Sequence, residues 1–188
     1  MIVVKKLLFV IAVCMLLCLC GCSGNVENNS SENWTVETVS NFCYIYEVKD
    51  NQGNIMLAED GLNKEPHIET IDKNTVKVWV QTGTGISARR TQYCDIENSV
   101  VSKKFNSVFC EYEGKTVYHA FRDGEHYVVM QDIFDKDVFY KEFKLDDVSD
   151  SPADAVLNAQ VSKNGKELRV TYLTGDDYAE TETVINIE

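Results

Sequence analysis

The octapeptide Val76-Lys77-Val78-Trp79-Val80-Gln81-Thr82-Gly83 has a counterpart in Leu168-Arg169-Val170-Thr171-Tyr172-Leu173-Thr174-Gly175. Both alternate with the two-residue period of a strand, place a basic residue second and end on Thr-Gly. Each follows a polar turn, Asp72-Lys73-Asn74-Thr75 in one case and Lys163-Asn164-Gly165-Lys166 in the other, and a weaker copy runs from Asp123-Gly124 through residues 127–131. Large apolar side chains occupy both faces: Val76, Val78 and Val80 oppose Trp79, and Leu168, Val170 and Tyr172 oppose Leu173. A sheet wetted on one side alternates cleanly, so this pattern predicts central strands covered on both faces by other sheets.

Working outward, strand signals dominate. Residues 44–49 and 54–58 flank Asp50-Asn51-Gln52-Gly53, a hairpin with a Gly for positive φ. Helix signals are confined to a turn or two near residues 152–159. The expected class is all-β, with antiparallel sheets in repeated units of three to four strands near residues 66–108, 109–151 and 152–188. The only prolines, Pro66 and Pro152, stand ahead of the first and third units. The first unit reads as strands a (67–71), b (76–82) and c (89–96) with a fourth at 100–105, and the third as 156–161, 167–174 and 179–187. The middle unit reads as 116–122, 126–132 and 139–145, while residues 43–58 look like strands c and d lacking their own a and b. The turns Asp123-Gly124 and Asn164-Gly165 lie 41 residues apart. In that period and those turns the chain resembles β-propeller repeats of the WD40 and related bacterial types, without their Trp-Asp and Gly-His signatures. The resemblance implies propeller-like stacking; a β-sandwich or open barrel is the alternative.

The N-terminus speaks to location. Lys5-Lys6 precede an apolar run over residues 7–19, shorter than the ~20 residues of a spanning helix, and Leu19-Cys20-Gly21-Cys22 closes it. That order resembles the lipobox signal of bacterial lipoproteins, with Cys20 where Ala or Ser is usual. It implies a signal peptide over residues 1–21, lipidation of Cys22 and anchoring at the cell membrane on the extracytoplasmic side. Residues 22–33, small and polar, read as the lipidated Cys and a flexible tether with a reach of about 20 Å. Residues 34–188 form one domain.

The chain carries 18 Lys and Arg against 30 Asp and Glu, a net charge of −12. Loss of Lys5 and Lys6 with the signal would leave 16 basic residues and a net charge of −14. Clustered basic charge is what nucleic acids require, so no nucleic-acid partner is expected. Three cysteines remain after processing, Cys43, Cys94 and Cys110, each beside aromatic neighbours, and they read as buried thiols without a Cys-x-x-Cys metal spacing. No phosphate loop, nucleophile elbow or EF-hand spacing occurs, so no catalytic residue, metal site or cofactor is assigned. His67, His119 and His126 read as structural.

If the repeat holds, the loops between strands b and c share one rim. They supply Arg89 and Arg90, then Asp132, Asp135 and Asp137, then Asp176, Asp177 and Tyr178 as candidate ligand-binding residues. Asp and Gly are also the ordinary chemistry of turns, which is the plain reading of the acidic members. The sequence thus predicts a lipid-anchored extracytoplasmic binding or interaction module, non-catalytic, taking an extracellular peptide, glycan or protein. A small envelope hydrolase working through carboxylates and a structural subunit of an envelope complex are the alternatives.

Overall fold

A computed structural model of the chain describes residues 29–30, 32–85, 88–149 and 154–187. The expected signal peptide, Cys22 and Pro152 lie outside them. Within them the chain is all-β, and its antiparallel sheets of three to five strands follow one another in chain order. The first sheet contains β1 (Asn29–Ser30), β2 (Trp34–Ser40), β3 (Cys43–Lys49) and β4 (Ile55–Leu62). The second contains β5 (His67–Thr70), β6 (Thr75–Gln81), β7 (Arg89–Asp95) and β8 (Val100–Val101), with β9 (Phe105–Asn106) also paired to β7. The third contains β10 (Val108–Tyr112), β11 (Lys115–Arg122), β12 (Glu125–Asp132) and β13 (Tyr140–Leu145). The fourth contains β14 (Val156–Val161), β15 (Glu167–Thr174) and β16 (Ala179–Asn186).

Local chemistry sets the hairpins. Glu113-Gly114 and Asp123-Gly124 join their strands as two-residue loops with φ positive at both positions (46° and 74°, 55° and 79°). That is the turn whose twist matches paired strands. At the β3–β4 turn the Asp50 carboxylate accepts the backbone N–H groups of Gln52 (2.9 Å) and Asn54 (2.8 Å), while Ser99 Oγ donates to it from the second sheet.

Successive sheets pack face to face. Val36, Tyr46 and Val48 of the first meet Val76, Val78, Val80 and Cys94 of the second. On the opposite face of β6 and β7, Tyr93 and Phe105 form a buried cluster with Ile133, Val108 and Tyr118 of the third-sheet region. Val117, Val128 and Met130 then meet Ala159, Leu168, Val170 and Tyr172 of the fourth. The predicted double-sided burial therefore holds for β6. It does not hold for β15: Leu168 and Val170 are buried, but Arg169 on the other face is exposed and pairs with Glu182 at 2.5 Å. No further sheet covers that face among the described residues.

The strand directions locate one end of the stack. Lys64, just after β4, donates to the Gly83 carbonyl at 3.1 Å, bringing the β3 start and the β6–β7 loop together. Ser107 N–H donates to Arg89 O and accepts His119 N–H at its own carbonyl, linking that loop to β11. Val148, beyond β13, bridges Thr174, and Gly175 N–H donates to Asp147 O. At the opposite end Lys77 pairs with Glu111 (2.9 Å) and Lys141 Nζ donates to Ile187 O (2.6 Å). The turns at residues 41–42, 123–124 and 175–178 and the described residues between β6 and β7 thus share an end.

Two expectations need correcting. The middle unit begins one strand earlier than read: β10 precedes β11, so Asp123-Gly124 is its second-to-third-strand turn and residues 132–137 lie at the far end. The tight Glu113-Gly114 turn causes this, because it folds Val108–Tyr112 back onto β11 as a strand of the same sheet. The strands thought missing before Cys43 exist as β1 and β2, so Asn29 and Ser30, assigned to the tether, pair with Val36 and Thr35.

Leu168 is fully buried between the third and fourth sheets. Leu168→Ala is expected to lower unfolding free energy by about 2–5 kcal/mol, whereas Arg169→Ala, one position away on the wet face, should cost less than about 1 kcal/mol. Urea midpoints of the two variants read this; equal losses would contradict the face assignment.

Candidate functional site

Among the described residues, clefts open at two of the seams between sheets. The first, of about 370 Å³, lies where the first sheet meets the second and is lined by Trp34, Val36, Glu65, Pro66, His67, Ile68 and Trp79. These are both tryptophans of the chain. The pairing of β5 with β6 sets His67 opposite Trp79, which puts the imidazole on the indole at 5.0 Å between centroids. Arg89 adds its guanidinium 4.8 Å from the Trp79 ring centre, a cation–π arrangement. Pro66 and Ile68 are buried and fix the floor, whereas His67 and Glu65 are exposed at the mouth.

The sequence-predicted residues distribute unevenly around this cleft. Arg89 borders it through Trp79, and its Nε is buried without a hydrogen-bond partner among the described residues. Arg90 points to the first sheet, where it pairs with Glu59, itself hydrogen-bonded by Tyr46. Burial and the Glu59 carboxylate push the Tyr46 hydroxyl pKa well above its ordinary value. Asp132 accepts the N–H groups of Phe134 and Asp135 at 2.9 Å, and Asp135 accepts that of Asp137 at 2.9 Å, so Asp132 and Asp135 hold their own loop in shape. That loop is at the end opposite the one shared by the Arg89 and Asp176 loops. Asp176, Asp177 and Tyr178 occupy the β15–β16 turn, with Tyr178 at positive φ (55°) and exposed. The structure therefore joins Arg89 to an aromatic cleft and leaves the carboxylates dispersed. Trp34, Glu65 and His67 were missed as a group; a shared position just before or at a strand start was the only sequence signal linking Glu65 and His67.

The second cleft, also about 370 Å³, lies between residues 103–107 and β11, lined by Lys103, Lys104, Phe105, Asn106, Ser107, Tyr118, His119, Ala120 and Phe121. Lys103 Nζ donates to Gln131 Oε1 at 2.8 Å and lies 5.0 Å from the Phe105 ring centre. Beside it, His119 Nε2 and His126 Nδ1 are 3.0 Å apart in stacked rings 5.1 Å between centroids, and Phe121 rests on His126. Burial, then the neighbouring His126, lowers the His119 pKa to about 4.

Cys43, Cys94 and Cys110 are free thiols, and burial pushes Cys94 up to about 12, which makes it unreactive at neutral pH. Among the described residues no group of three or more His, Cys, Asp or Glu side chains is placed to hold a metal ion, and no helix is long and apolar enough to cross a membrane. Comparison with protein-family models, curated proteins and solved structures found no match.

A histidine whose folded pKa is depressed contributes stability that is complete above its unfolded value near 6.5 and is lost as pH falls towards about 4. At about 1.4 kcal/mol per pKa unit the loss is on the order of 3 kcal/mol. Denaturant midpoints measured from pH 7 to pH 4 should fall for the native chain and fall less for His119→Gln; parallel curves would remove His119 as the source.

Proposed function

We propose that the chain is a lipid-anchored, extracytoplasmic, non-catalytic binding module that takes a glycan, peptide or protein at the tryptophan cleft. The observation that carries this reading is that Trp34, Trp79 and His67 line one concave surface, with the Arg89 guanidinium against the Trp79 ring beside it. Indole rings supply wide apolar contact at low conformational cost, and the imidazole, guanidinium and Glu65 carboxylate supply directional polar groups. The Asp176-Asp177-Tyr178 turn is a second contact surface at the end shared with the Arg89 loop. The lipobox-like Leu19-Cys20-Gly21-Cys22 supports attachment through Cys22.

The same reading takes the stack as propeller-like. Meander sheets in chain order, packed face to face, with their second-to-third-strand turns at one end, support it; the open outer face of the fourth sheet supports an unclosed stack instead of a ring. The hydrolase alternative draws no comparable support, since Asp132 and Asp135 serve their own turn.

Two measurements test the proposal. The full chain displayed on vesicles and probed with glycan and peptide arrays should retain at least one ligand that Trp34→Ala weakens tenfold or more. Retained binding in both Trp34→Ala and Arg89→Ala would exclude this cleft. Separately, Cys22→Ala should move the protein from the membrane to the soluble fraction; persistent membrane association would overturn the anchor.

A further inference from the structure

In a chain with a net charge of −12, the second cleft is a local exception: two lysines line it and no carboxylate does. Elsewhere Lys77, Arg90, Arg122, Lys144 and Arg169 each pair with a glutamate. Lys103 instead meets neutral partners, the Gln131 carbonyl oxygen at 2.8 Å and the Tyr118 hydroxyl at 3.4 Å, with the Phe105 and Tyr118 rings 5.0 and 5.3 Å away. Burial and the positive charge of Lys136 both lower its pKa. Lys104 is exposed at the cleft, and Phe121, 49% exposed, forms an apolar wall.

We propose that this cleft binds an oxyanion, a phosphate or carboxylate, carried on a ligand whose apolar part rests on Phe121. Lys103 is held in place by the Gln131 and Tyr118 oxygens, so its charge is preorganised for the ligand. Lys104 completes the electrostatic contact from the solvent side, and Asn106 offers amide hydrogen bonds. The acidic surface does not oppose this at close range. Charges more than about 8 Å away are largely screened at physiological ionic strength, so the lysines touching the ligand decide the local potential. The site is separate from the tryptophan cleft, and its existence does not depend on the function proposed for that cleft.

The test is calorimetric titration of the full chain in non-ionic detergent micelles with inorganic phosphate, polyphosphate and polygalacturonate. Saturable binding of at least one probe is expected, weakened tenfold or more by Lys104→Gln, retained in Lys104→Arg and unchanged in Trp34→Ala. Preference for polyphosphate assigns a phosphodiester source, preference for polygalacturonate a carboxylate source, and equal binding of inorganic phosphate a free oxyanion. Lys103→Gln with Lys104→Gln should abolish binding; its urea midpoint, compared with that of Lys104→Gln, separates loss of the site from loss of the fold. Absence of saturable binding by every probe, or binding that Lys104→Gln leaves unchanged, overturns the proposal.

Discussion

A sheet buried on both faces must satisfy every polar group it brings inside, and that constraint shapes the centre of this molecule. β6 and β7 send one face to the first sheet, where Val76, Val78 and Val80 pack on Val36, Tyr46 and Val48 and Arg90 is paired by Glu59. Their other face carries Lys77 and Tyr93 into the seam with the third sheet. There Lys77 pairs with Glu69 (3.3 Å) and Glu111 (2.9 Å), and the Tyr93 hydroxyl donates to Glu111 (2.6 Å) while sharing a 3.1 Å bond with Thr116. Burial and the Glu111 charge push the Tyr93 pKa far above its ordinary value, so the hydroxyl stays protonated and serves as a donor. Such a network contributes little net stability relative to an apolar seam, but removing any member strands a buried partner. Its geometry pins the second sheet to the third in one register.

That network explains which parts of the fold were legible in the sequence. The period-two alternation of residues 76–80 and 168–172, with the polar turns before them, marks strands and their buried faces because burial of alternate side chains is a local pattern. Strand order within a meander follows from short turns. The grouping of strands into sheets is weaker information: residues 108–112 carry no strand in the reading of the middle unit until Glu113-Gly114 is recognised as a two-residue hairpin. Both residues at positive φ are the signal there, and a Glu at the first place hides it. The shift moved one predicted rim loop to the other end of the stack while leaving its residues in a turn.

The clefts were less legible for a different reason. Trp34 and Trp79 belong to different sheets, 45 positions apart in the chain, and come to line one cleft only because the two sheets associate. Lys103 and Tyr118 meet in the same way across the second seam. Loop carboxylates, by contrast, are conspicuous in sequence and mostly local in action: Asp50, Asp72, Asp95, Asp132 and Asp135 each accept backbone N–H groups a few residues ahead. An Asp in a turn therefore carries little information about ligands, whereas an aromatic or basic side chain left half-open at a seam carries more.

The ends of the stack obey the reverse constraint from its centre. An apolar outer face on the first or fourth sheet would present a template for another sheet, from this chain or a neighbouring copy. Both faces instead interrupt their exposed apolar side chains, Ile55 and Val184, with charge: Glu37 is exposed and Lys49 pairs with Glu47 at 3.1 Å on the first, and Arg169 pairs with Glu182 on the fourth. Surface pairs of this kind add little stability in water, yet burying them without compensation is costly, so their effect lies in what they prevent. The large negative charge acts in the same direction between molecules. Paired charge at the ends of a stack of sheets leaves little for a further sheet to gain by adding there.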